Sequence, residues 1–197
     1  MDDVAGEVRA WLEQCWDPDL SVGAWWELLG HSGWAVPHWP TDWYGMGLHR
    51  DAARVVANEI RAAGALAPPA GLGLLLAGPT IVAHGTEEQK QRYLEPIVTG
   101  KESWCQLFSE PNAGSDLAGL QCRAERDGDL WRFSGQKVWT SGGHMADLGM
   151  LLVRTDPDVP KHRGISYFVL EMGQPGVDVR PLREMTGHAL FNEVFLD

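Results

Sequence analysis

From Val4 the apolar residues recur at helical spacing, at Val4, Val8, Trp11, Leu12 and Cys15, and they do so again at Ala52, Val55, Val56, Ile60 and Ala63. Both patterns predict amphipathic helices. Between them, Gly33 to Gly47 contains Pro37 and Pro40, a bend-rich connection that a helix cannot cross. A third helix is predicted over Gly71 to Ala83, broken near Pro79. A fourth begins at Thr86. There Thr86-Glu87-Glu88-Gln89 reads as a capping box, and Tyr93, Leu94, Ile97 and Val98 supply an apolar face. Pro96 is expected to bend this helix near its end.

After Gly100 the period changes from helical to strand-like. Cys105 opens an apolar, extended run. Leu120 to Glu125 and Leu130 to Phe133 flank Asp127-Gly128-Asp129, a hairpin signal, and Lys137 to Ser141 follows. Leu148 to Arg154, Ile165 to Glu171, Val177 to Leu182 and Glu193 to Leu196 are further runs of strand length. Helices first, then strands without helices between them, predict an α+β chain: a helical domain over 1–103 and an all-β domain over 104–197.

Charge and cysteine usage narrow the function classes. The formal net charge is −11 with no basic block, which argues against nucleic acid or an anionic membrane as the main partner. Cys15, Cys105 and Cys122 are odd in number and far apart, so neither a disulfide framework nor a CxxC metal site is expected, and a reducing cytoplasm is the natural location. No charged-then-apolar leader stands at Met1, and no run of 18 apolar residues occurs, so neither export nor a membrane span is expected. Seven of the ten tryptophans fall between Trp11 and Trp43, a density that reads first as core packing.

Generic catalytic signatures such as HExxH, GxSxG and GxxxxGK[ST] do not occur, and the seven histidines are scattered. Two other stretches carry the candidate chemistry. CQLFSEPNAGSDLAG, Cys105 to Gly119, is nearly bare of large side chains after Phe108: Gly, Pro, Asn and Ser set a tight path and leave backbone N–H groups uncovered. This suits either a plain connection or a cradle for something flat and anionic. GQKVWTSGGH, Gly135 to His144, sets a large ring beside hydroxyls and glycines. It suits an aromatic heterocycle or a Trp-capped hairpin equally.

Together, SEPNAGSD, the DGD hairpin and GQKVWTSGG resemble the flavin-binding middle domain of the acyl-CoA dehydrogenase family. HGTEEQKQRYLEPIVTGKE resembles the last helix of that family's N-terminal helical domain, and EMTGHALFNEVFLD the end of its β domain. The resemblance implies an N-terminal all-α domain followed by a β-barrel-like middle domain, with FAD as cofactor. It implies that backbone groups near Gln106 and Phe108 and the Ser109 hydroxyl contact the isoalloxazine. By the same resemblance, Gly114 and Ser115 approach the pyrophosphate, and Ser115 also lies along the acyl-CoA thioester arm. Trp139 would flank the flavin, with Thr140 and Ser141 beside it. Glu110 and Asp116 inherit loop-stabilising roles. Where the family more often has Trp-Ile-Thr-Asn, this chain has Trp-Thr-Ser-Gly, which keeps the ring and one hydroxyl. Lys161 and Arg163, in DPDVPKHRG, form with His162 the densest basic cluster, and the resemblance sets their loop beside the path of coenzyme A.

The activity so implied is α,β-dehydrogenation of an acyl-CoA thioester, with electrons passed to an electron-transfer flavoprotein or similar acceptor and the full-length enzyme a homo- or hetero-oligomer. In the family the base that removes the α-proton belongs to a third, C-terminal helical domain. No residue here inherits that role, and the expectation is an N-terminal fragment or natural truncation whose β domain is incomplete at its C-terminal end. Two alternatives share the scaffold: an acyl-CoA oxidase or flavin monooxygenase, and a non-catalytic FAD-binding subunit of a heteromeric dehydrogenase.

Overall fold

The structure is a computed structural model that describes residues 3–197. Met1 and Asp2, with which the expected helical domain opens, lie outside the described residues. The chain divides into two compact units, the division falling between Glu102 and Ser103.

The first unit is helical: α1 (Val4–Cys15), α2 (Val22–Ser32), α3 (Ala52–Ala62), α4 (Gly78–His84) and α5 (Glu87–Thr99). Side-chain caps start three of them. Asp3 accepts from the Gly6 N–H at 2.9 Å, Ser21 from Ala24 at 3.2 Å, and Thr86 from Gln89 at 3.3 Å, while Gln89 returns a bond to the Thr86 N–H at 2.9 Å, completing the expected box. The periodic apolar faces of α1 and α3 converge on Val8, Leu12, Val56 and Ile60, all buried together with Trp25 and Leu29 of α2. Each such side chain contributes about 1.5–3 kcal/mol on leaving water. The tryptophan cluster is part of this core. Trp25 has no exposed surface, its ring lies 5.5 Å from Trp11 and 4.7 Å from Trp16, and its Nε1 donates to the Leu66 carbonyl at 2.8 Å.

Two features differ from the sequence expectation. Helix α2 lacks the contrast that marks α1: Trp25 and Leu29 are buried, yet Val22 and Leu28 are exposed on the same helix. The predicted third helix changes character along its length, a π-helical turn at Gly73–Ala77 running directly into α4, with Pro79 just past the junction. Pro96 sits inside α5, near its end as expected.

The second unit is a curled seven-stranded sheet: β1 (Trp104–Leu107), β2 (Arg123–Asp127), β3 (Leu130–Ser141), β4 (Leu148–Arg154), β5 (Ile165–Glu171), β6 (Val177–Leu182) and β7 (Phe191–Leu196). β2 and β3 form the expected hairpin, with Asp127 opposite Leu130 and Gly128 at φ +63° in the turn. The two runs read from Leu130 and Lys137 are one strand. β4 pairs antiparallel with β5 on one side and parallel with β1 on the other, Cys105 opposite Gly149. β3 continues through β7 to β6. Cys105, Leu107, Leu151, Val153 and Val194 fill the interior of the curl.

Candidate cofactor site

The SEPN stretch leaves the end of β1 and turns back at once. Glu110 and Ala113 exchange backbone hydrogen bonds of 2.9 and 3.1 Å, which closes the Pro111-Asn112 bend. The Glu110 side chain points inward instead of to solvent. Its Oε2 accepts from the Gln121 N–H at 2.6 Å and its Oε1 from the Cys122 N–H at 2.9 Å. The same Oε1 receives the Lys137 ammonium at 2.8 Å, and that ammonium also donates to the Phe108 carbonyl at 3.1 Å. The pair is sealed: Lys137 has no exposed side-chain surface and Glu110 5%. Burial pushes the Glu110 carboxyl upward, but the Lys137 ammonium and the two backbone donors outweigh it and hold the group below its ordinary value.

This pair joins the two motifs that sequence reading singled out. The Val138 N–H donates to the Ser109 carbonyl at 2.9 Å, so β3 lies against the SEPN bend. Just beyond, the register between β3 and β7 shifts between Lys137 and Thr140, a β-bulge. Trp139 occupies that bulge with φ +61°, a left-handed conformation that costs a large side chain about 1–2 kcal/mol. Trp139 is 62% exposed, and its ring stands edge-on to Phe191 with centroids 5.9 Å apart. An exposed indole on a strained backbone is poor economy for stability alone, and such strain concentrates at binding sites.

Next to Trp139 one buried polar atom lacks a partner. Thr140 is fully buried and its Oγ1 has no hydrogen-bond partner among the described residues. Its carbonyl is held by Asn192 Nδ2 at 2.9 Å, while Asn192 Oδ1 meets His144 Nδ1 at 3.1 Å. Ser141 is exposed, and Gln106, Phe108 and Ser109 are half-buried. Gly114 and Ser115 are exposed too, and a Cβ at Gly114 would meet nothing within 4 Å, so that loop faces open space. Burial drives the Cys105 thiol up to about 12 and the Cys122 thiol up to about 11, so neither forms a thiolate readily. No group of three or more His, Cys, Asp or Glu side chains among the described residues could hold a metal ion.

The basic loop is placed differently from the motif pair. Lys161 bonds both oxygens of Asp116, at 2.8 and 2.6 Å, and so lies beside Ser115. Arg163 is exposed and makes no ion pair among the described residues. Sequence reading missed Lys137 as a site residue, and it missed Arg154, whose guanidinium reaches three backbone carbonyls. Alternation in GQKVW would set Lys137 opposite the apolar Val138 and so facing outward, yet both are buried, so no local pattern signals that its charge turns inward.

Comparison with known proteins decides the family. Residues 2–101 match the model of the acyl-CoA dehydrogenase N-terminal domain, and residues 105–197 that of the acyl-CoA dehydrogenase middle domain. The chain belongs to the acyl-CoA dehydrogenase family. Among its relatives, acyl-CoA dehydrogenase FadE34 of Mycobacterium tuberculosis is 50% identical over 169 residues, covering 86% of this chain and 24% of that protein. Acyl-CoA dehydrogenase IpdE1 of the same organism is 42% identical over 174 residues, covering 88% and 45%. Among solved structures, the ChsE4-ChsE5 complex from Mycobacterium tuberculosis superposes with a TM-score of 0.74 at 32% identity, covering 100% of this chain and 52% of that one. The chain thus spans less than half the length of these two curated relatives and about half of the solved chain. The architecture is the family's own: a helical N-terminal unit, then a curled β middle unit.

Proposed function

We propose that this chain forms the flavin-facing part of an FAD-dependent acyl-CoA dehydrogenase. The observation that carries the reading is the exposed Trp139, held on a left-handed bulge beside the exposed Ser141 and tied to the SEPN bend through Lys137 and Glu110. These residues fit an isoalloxazine: one flat apolar face, hydroxyls at its margin, and a bare backbone leading away. When bound, FAD would supply the hydride acceptor for α,β-dehydrogenation.

Trp139 packs against one face of the ring system, while Ser141 and Ser109 offer hydroxyls to its polar edge; Thr140, which has no exposed surface, lies beneath and does not reach it. Gln106 and Phe108 contribute backbone groups. Gly114 and Ser115 leave room for the pyrophosphate and the thioester arm, since nothing of the middle unit overhangs Gly114. Glu110 serves as scaffold: its oxygens are committed to Lys137, Gln121 and Cys122, so it is not free to take a proton. The α-proton base belongs to chain outside residues 3–197, in the helical domain that follows the middle one in this family.

Flavin content and acyl-CoA-dependent reduction of an artificial acceptor test the reading in the complete protein that carries these residues. The wild type should hold FAD and turn over. Trp139→Ala should fold yet lose flavin, at a cost of about 1 kcal/mol or more of binding. A folded Trp139→Ala with unchanged flavin content and visible spectrum would overturn the assignment. Rapid reaction of the reduced enzyme with oxygen would instead favour an oxidase or monooxygenase on the same scaffold.

A heteromeric assembly is the second reading, because two of the matched structures, ChsE4-ChsE5 and the Tcur3481-Tcur3483 steroid ACAD, are named for two proteins each. In this reading the substrate is a bulky acyl-CoA of the steroid class and a partner chain completes the site. No helix among the described residues is long and apolar enough to cross a membrane. With all three cysteines free, a cytoplasmic enzyme that passes electrons to a soluble flavoprotein acceptor is the consistent picture.

A further inference from the structure

Trp139 stands left-handed between two pinned neighbours. The ladder of β3 with β7 runs regularly from Gly135–Leu196 to Lys137–Val194 and resumes at Thr140–Asn192, so Val138 and Trp139 together oppose Glu193 alone. On one flank the Val138 N–H donates to the Ser109 carbonyl at 2.9 Å; on the other the Thr140 carbonyl accepts from Asn192 Nδ2, also at 2.9 Å. A carbonyl can only accept, so the far end of this amide is its oxygen. His144 Nδ1 therefore carries the proton that it shares with Asn192 Oδ1 at 3.1 Å. On β7 the buried face is Asn192, Val194 and Leu196, and an asparagine in such a place packs less well than the apolar residue it displaces. Its polarity serves the clamp. The turn beyond Trp139 is seated on the same strand end: the Gly142 N–H donates to the Leu190 carbonyl at 2.9 Å. A Cβ at the buried Gly143 would lie 3.0 Å from Thr140 Cγ2 and 3.5 Å from Asn192 Nδ2.

We propose that Asn192 is a positioning residue for the flavin site: by holding the Thr140 carbonyl it keeps Trp139 in its left-handed conformation and fixes how the indole is presented, while His144 holds the amide in its working orientation. The inference rests on the flavin reading above. Nothing in a tryptophan itself favours the left-handed region, so the conformation persists only while the chain on both flanks is held. Loss of the Thr140 bond frees one flank. The exposed His144 acts through Asn192, and a replacement serves only if it donates from the place of Nδ1, which the asparagine amide does.

The test uses the complete protein, labelled with fluorotryptophan and stripped of flavin, then titrated with FAD. The Trp139 fluorine resonance is the one absent from Trp139→Phe. Asn192→Leu should shift or broaden that resonance in the apoprotein, leave that of Trp25 in the helical unit in place, and weaken FAD binding about tenfold with a changed visible band. Asn192→Asp keeps the oxygen that faces His144 and loses the donor to Thr140, so it should fail in the same way. His144→Ala, on an exposed side chain, should weaken FAD about threefold, and His144→Asn should restore it. With Trp139 already replaced by alanine, Asn192→Leu should weaken FAD less than about twofold further, because the residue it positions is gone. An unmoved Trp139 resonance in Asn192→Leu, full affinity in Asn192→Asp, no effect of His144→Ala, or an undiminished Asn192→Leu effect without Trp139 would each overturn the proposal. Should Asn192→Leu fail to fold, the His144 pair decides by the same criteria. A wild type that takes up no FAD, while Asn192→Leu still moves the Trp139 resonance, would sink the flavin reading and leave the clamp standing.

Discussion

Lys137→Met puts the buried ion pair to a quantitative test. Methionine matches the length and apolar stem of lysine, so the substitution deletes the charge with little change in packing. It strands the Glu110 carboxylate, 5% exposed, with only the Gln121 and Cys122 N–H groups for company. Those two bonds exist in the wild type as well and cancel in the difference. What remains is a buried charge without its counter-ion, a loss of about 3–5 kcal/mol. At about 4–8 °C per kcal/mol for a unit of this size, the melting temperature of the middle unit should fall by roughly 12 °C or more. Lys137→Met combined with Glu110→Gln leaves no charge at all and should recover to within about 1 kcal/mol of wild type, because neutral replacement of a buried pair is often without net cost. Thermal and urea melts of the four proteins form a double-mutant cycle. A pH arm checks the sign. The folded Glu110 carboxyl lies below its ordinary value, so its stabilisation is fully present above that value and is lost as pH falls through the lowered one. Wild type should therefore lose stability on acidification more steeply than Glu110→Gln. A Lys137→Met cost under about 1 kcal/mol, or a double variant as damaged as the sum of the singles, would refute the reasoning.

Two further substitutions probe the bulge and the hairpin. Trp139→Gly should leave the melting temperature unchanged or raise it, since relief of the left-handed strain, about 1 kcal/mol, offsets the loss of one edge contact to Phe191; a marked drop in melting temperature would show that the ring serves stability. Gly135→Ala should destabilise the β2–β3 pairing, because φ is +144° and the new Cβ would press on the Cys122 side chain and lie 2.9 Å from the Cys122 Cα; an unchanged urea midpoint would count against it.

How far the sequence reached follows from what each element depends on. β4, β5 and β6 were legible to the residue, β4 and β5 as apolar runs and β6 from the alternation that follows Pro175-Gly176. α2 was not, since its apolar residues face both the core and solvent and leave no stripe to detect, although Ser21 and Gly33 marked its ends. The site was half legible. Trp139 and the SEPN bend carry local signatures of composition, and the family resemblance gave them roles. Lys137 acts on a carboxylate and a carbonyl 27 and 29 residues away, and Arg154 on carbonyls 7, 34 and 36 residues away, partners mostly fixed by sheet topology and by no local pattern. For the same reason Lys161 reads as a free cation in sequence and is found paired with Asp116, 45 residues earlier.

The Glu110 carboxylate grips N–H groups of Gln121 and Cys122, and every residue except proline has one to offer. One side chain therefore pins both ends of residues 111–121, and it does so without reading the side chains at its far end. A loop closed at its base in this way can change composition, and even length, while the sheet beneath keeps its register, since doubling a loop costs only about 0.6 kcal/mol in closure entropy. The bend is in this sense a replaceable part on a fixed mount. Variation there leaves the mount standing, whereas variation at Glu110 or Lys137 alters whether the mount exists.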